Sequence, residues 1–139
     1  MKRTILAVIA GLVAWALVVS LLDRGLRMGL PGYAEAEPTM SFSFAMMVSR
    51  LAMAAVTSVV AGMVAALVAP GARYVPVVVG ALTLAMFLPV HVSLWKLFPA
   101  WYHLSFLVPI VPLVMIGALL VNAWRRRPAA IRNGTASLS

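Results

Sequence analysis

Four long apolar runs, with charge almost confined to the gaps between them, fix the solvent in which this chain folds. The first, Thr4 to Leu22, holds 19 residues without a charge. An α-helix rises 1.5 Å per residue, so about 20 apolar residues cross a hydrocarbon layer roughly 30 Å thick. Inside that layer each backbone N–H and C=O must be satisfied within the protein, which a helix does by itself. Of 139 residues, 64% are hydrophobic and 10% charged. A soluble domain is about half apolar and a quarter charged. Four spans take up about 80 residues, which leaves short loops and a tail but no room for a separate soluble enzyme domain.

The fold class expected is all-α: an integral membrane four-helix bundle with both termini cytoplasmic. The transmembrane domain covers residues 1–127, with spans at about 4–22, 48–69, 75–95 and 103–124, and 128–139 is expected to be a disordered cytoplasmic tail. The first run is longer than the roughly 7–15 apolar residues of a secretory signal, so it reads as a span. Its helix is expected to continue through Asp23 and Arg27 to the breaker Leu30-Pro31-Gly32. Thr39 or Ser41 is placed to cap the second helix, which Pro70-Gly71 stops. That helix is longer than the hydrocarbon is thick, so about a third of it projects beside the extended first helix.

Loop charge sets the orientation, because Lys and Arg accumulate on the cytoplasmic side. Lys2, Arg3, Arg73, Arg125, Arg126, Arg127 and Arg132 share one side. Arg24, Arg27 and Lys96, with Arg50 near them, share the other, as do all 3 acidic residues, Asp23, Glu35 and Glu37. Trp95, Phe98, Trp101 and Tyr102 mark the outer interface and Tyr74 and Trp124 the inner one, where amphipathic rings act as anchors. The net charge of +8 is thus explained by membrane orientation, and no nucleic-acid partner is expected.

Within lipid, helices associate where small side chains let backbones approach. The second span carries Ala54, Ser58, Gly62 and Ala66 at four-residue spacing, and the first offers Ala7 and Gly11. The second span is therefore expected at the centre of the bundle or at an oligomer seam, paired antiparallel with the first. Pro89, Pro109 and Pro112 kink the outer halves of spans three and four; ordinary kinks and a splayed outer vestibule are both open.

Reactive groups are few. Arg50 is an ionisable residue inside a span, which marks a functional candidate. Helix rise puts it near the outer hydrocarbon edge, level with Asp23. The pair is read as a clasp, or alternatively as an anion or headgroup site with Arg24 and Arg27 close by. His91 and His103 are expected near the same interface. They are weak candidates for a metal, with Glu35 or Glu37, or for haem, though neither spacing matches a ligand motif. Structural hydrogen bonds are the plainer account. Asp23, Arg50, His91 and His103 thus form the expected polar outer-face cluster. Asn122 is read as structural, and the 9 scattered methionines as flexible filler.

No acidic residue lies inside a span, which argues against proton-coupled export, and the absence of cysteine removes thiolate chemistry. No Ser/His/Asp set and no phosphate loop is present. No catalysis and no cofactor are expected.

Leu88-Pro89-Val90-His91-Val92-Ser93-Leu94-Trp95, then Phe98-Pro99-Ala100-Trp101-Tyr102-His103, resemble a group of small, uncharacterised bacterial four-span inner-membrane proteins, as does Leu30-Pro31-Gly32-Tyr33 leading to Glu37-Pro38-Thr39. The resemblance implies the four-span architecture and a bacterial inner (plasma) membrane location, and carries no known activity. The expected partners are the bilayer and either a second copy or another membrane protein, with action through helix association as a homo-oligomer or accessory subunit. The alternatives are a small transporter or channel with a polar outer vestibule, and an outer-face metal- or haem-binding protein.

Overall fold

A computed structural model describes residues 1–126. The expected tail at 128–139, and Arg127 before it, lie outside the described residues. The described chain is all-α: α1 Lys2–Gly29, α2 Tyr33–Ala36, α3 Phe44–Val68, α4 Tyr74–Ser93, α5 Ala100–Leu107 and α6 Ile110–Arg125. α1, α3, α4 and the α5–α6 pair are each long and apolar enough to cross a membrane. This is a multi-pass membrane protein built as a four-helix bundle.

Local chemistry sets the boundaries. α1 runs 28 residues, or about 42 Å, and so outlasts the hydrocarbon before Leu30 turns extended. α3 begins later than expected, capped by Ser43, whose hydroxyl accepts from Met46 N at 3.4 Å. Thr39 and Ser41 are not caps, because their hydroxyls bond each other at 2.7 Å across a turn in which Met40 takes φ 53°. The fourth span is two helices. Pro109 and Pro112 supply no N–H to the ladder, and the helix is interrupted at Val108 and Pro109.

α3 is the central helix, packed on α1, α4, α5 and α6. Its small row is spent inside the chain. Ser58 receives a 3.4 Å bond from Trp15 of α1. A Cβ on Gly62 would overlap the Val114 carbonyl oxygen of α6, and one on Gly117 would overlap that of Val59. Ala66 joins Ala118 and Val121 in a buried cluster. Gly11 of α1 approaches the Ala61 carbonyl and Val79. With Ala54 also buried, the row serves intramolecular packing.

The two ends of the bundle differ. Residues 30–43 fold over one end as a cap. At the other end Arg3 donates to Val68 O at 2.7 Å and Arg125 to Leu67 O at 3.4 Å. Those are last-turn carbonyls of α3, which have no partner within their own helix. The start of α1 and the end of α6 therefore share this end.

Candidate functional site

The expected polar cluster lies under the cap. A Pro31-Gly32 turn, with Gly32 at φ 77°, throws the chain back over the end of α1. It seats Tyr33, which is fully buried, among Phe42, Phe98 and Tyr102. Phe98 and Tyr102 are thus cap core rather than the interfacial anchors expected of them. Trp95, Trp101, Tyr74 and Trp124 do remain exposed.

Asp23 and Arg50 do not touch directly. Arg50 donates through Nη1 to Tyr33 Oη at 2.6 Å and through Nε to Tyr102 Oη at 3.2 Å. Tyr33 passes the interaction on, its hydroxyl donating to Asp23 Oδ1 at 3.0 Å. One phenol is thus acceptor to the cation and donor to the carboxylate, a role only the protonated hydroxyl fills. Burial favours that state, raising the Tyr33 phenol from 10.0 to about 12; Arg50 opposes the rise and Asp23 adds to it. The Arg50 guanidinium also lies 4.7 Å from the Phe42 ring centroid, within cation–π range.

The second carboxylate layer is more exposed. Arg27 bridges Asp23 at 2.9 Å and Glu37 at 2.7 Å, tying the end of α1 to the cap. The Arg27 side chain is half exposed, so these pairs add little stability and mainly set register. Two contacts to carboxylates also occupy the cation that an anion site would need. Arg24 and Glu35 are exposed.

Beneath Tyr102 lie the histidines. His91 of α4 and His103 of α5 meet with Nδ1 atoms 2.8 Å apart, one donating to the other. Trp95 stacks on His103 with centroids 4.6 Å apart, and Phe106 covers His91 at 4.4 Å. His103 is fully buried, and its Nε2 has no hydrogen-bond partner. The pair does not fit haem, because imidazoles in direct contact leave no slot for a porphyrin plane. As a metal site it offers two ligands. Glu37 is turned to Arg27, and among the described residues no group of three or more His, Asp or Glu converges.

Tyr33, Phe42 and Tyr102 are the site residues that sequence reasoning missed as such. The sequence signal was the Pro-Gly turn just before a tyrosine, which folds a phenol back toward the helix it leaves. Among the described residues Asn122 makes no side-chain bond across helices; it lines a groove at the uncapped end. Comparison of the chain with protein-family models, with curated proteins and with solved structures gave no match in any of the three.

Proposed function

We propose that this is a bacterial plasma-membrane protein, termini cytoplasmic, that catalyses no reaction and acts by association, as a homo-oligomer or as an accessory subunit of another membrane protein. The capped end is then the outer one, in keeping with the Lys and Arg excess at the other. Kinship with the small bacterial four-span proteins is part of the same proposal.

The observation that carries it is Tyr33 bridging Arg50 to Asp23. The one cation set within a span is spent on holding an extramembrane cap in a single shape. A shaped cap is useful to a protein that presents a surface. The edge of that surface carries an exposed aromatic pair, Phe44 and Trp101, with centroids 5.6 Å apart. The row at Ala54, Ser58, Gly62 and Ala66 supplies no such surface, since α1 and α6 cover it.

A transporter vestibule among Asp23, Arg50, His91 and His103 has less support. Tyr102 bonds Arg50 and stacks near His91, and Phe106 fills in below. An outer-face metal site has only the two histidines to build on.

Photo-cross-linkers at Phe44 and Glu35, in native membranes, are expected to trap a dimer or one defined partner. A clean monomer at high protein-to-lipid ratio, without adduct at either position, overturns the proposal.

A further inference from the structure

The uncapped end has a groove that the proposed function does not use. It encloses about 530 Å³ between the end of α3, the start of α4 and the last turns of α6. Its floor is apolar and made of small side chains, among them Ala66, Ala69, Pro76 and Ala118. It runs along α6 from Met115 to Arg126, a rise of roughly 16 Å at 1.5 Å per residue. It therefore reaches from the helix end well into the hydrocarbon layer.

Charge is gathered at the mouth alone. Arg73 and Arg126 line it together with Asn122. Four of the basic side chains at this end fall into two pairs. Arg3 and Arg125 are engaged with α3 carbonyls. The Arg73 and Arg126 side chains make no hydrogen bond or ion pair among the described residues, and the 3 acidic side chains of the whole chain sit at the far end. Two cations and an amide at the rim of an apolar slot match one molecule in the surroundings: a lipid with an anionic head and an acyl tail. Basic pockets between spans on the cytoplasmic side hold such headgroups, at about 1 kcal/mol per Lys or Arg near the surface, a factor of about five.

We propose that this groove binds one anionic phospholipid, its phosphate held between Arg73 and Arg126 with Asn122 donating to it, and one acyl chain lying along Ala66 and Ala118 toward Met115. The occupant comes from the bilayer itself. The site is independent of any partner at the cap.

Native mass spectrometry of the full chain in neutral detergent tests this, with phosphatidylglycerol or phosphatidylcholine added. Phosphatidylglycerol is expected to be retained and phosphatidylcholine not. Arg73→Gln with Arg126→Gln should lower retention ten- to thirtyfold, about five per charge removed. Ala123→Phe leaves both charges in place and fills the slot from an exposed position, so it should also weaken retention. Lys96→Gln, at the capped end, should change nothing. Equal retention of the two lipids, equal retention by the double arginine variant, or displacement of the lipid by millimolar inorganic phosphate would each overturn the proposal; the last would show an anion site with no use for the tail.

Discussion

Tyr33 decides whether the cap stays on. Its hydroxyl completes a path from Arg50 to Asp23 that neither charged group can make directly. Tyr33→Phe keeps the ring among Phe42 and Tyr102 but leaves Arg50 short of an acceptor, and hydrogen bonds to charged groups contribute roughly 1.5–3 kcal/mol. A loss of about 2 kcal/mol is expected on unfolding in mixed micelles, and Arg50→Gln on top of it should add much less than it costs alone, since the two act as a unit. The same phenol gives a pH dependence of fixed sign. Its folded value, about 12, stands above the free value of 10.0. Between the two, the unfolded chain releases a proton that the folded chain keeps, so stability is intact below 10 and falls as pH rises toward 12. The wild type should show a steeper decline than Tyr33→Phe over that window; parallel profiles would remove the phenol from this role. Arg50 and Asp23 were legible as one cluster from helix rise alone. The intermediary was not, because no helical period says where a fold-back loop sets down its tyrosine.

At the scale of the element, the α3–α6 contact is the strictest. Gly62 and Gly117 each face a carbonyl of the other helix at a distance no Cβ can share. Gly62→Ala or Gly117→Ala must push the helices apart, and overpacking of this kind costs typically 1–3 kcal/mol. Gly25→Ala is the control: nothing lies within 4 Å of its Cβ position, and alanine improves helix propensity by up to about 1 kcal/mol. Unfolding midpoints should fall for the first two variants and hold or rise for the third. The four-residue spacing revealed that α3 has a face built for close approach, and Ala7 and Gly11 named α1 as a neighbour. It could not say that α6 takes Gly62, because nothing in the period of one helix identifies which neighbour lies over it. Helix ends were read less well than helix faces. Ser43, two residues past Ser41, became the cap because Met40 in the left-handed region turns the chain first.

Over the described residues, the bundle ends in an aromatic cap on one side and a more cationic face, with the groove of Arg73 and Arg126, on the other, and the proposed topology puts the cap outside. With no native cysteine, single substitutions report on this cleanly. Thr39→Cys in intact cells should react with a membrane-impermeant maleimide, and Ala72→Cys only after the membrane is broken; the reverse pattern would invert the protein and with it the leaflet of the groove. The end shared by the start of α1 and the close of α6 bears on how the chain is made. Arg3 and Arg125 shield neighbouring carbonyls of one helix, yet Arg125 leaves the ribosome three spans after Arg3. While only three spans have emerged, the glycine face of α3 is wetted by lipid tails and Leu67 waits for its donor. This four-helix seam is therefore sealed only when α6 arrives, and a product cut short before it would present quality-control proteases with an unfinished seam.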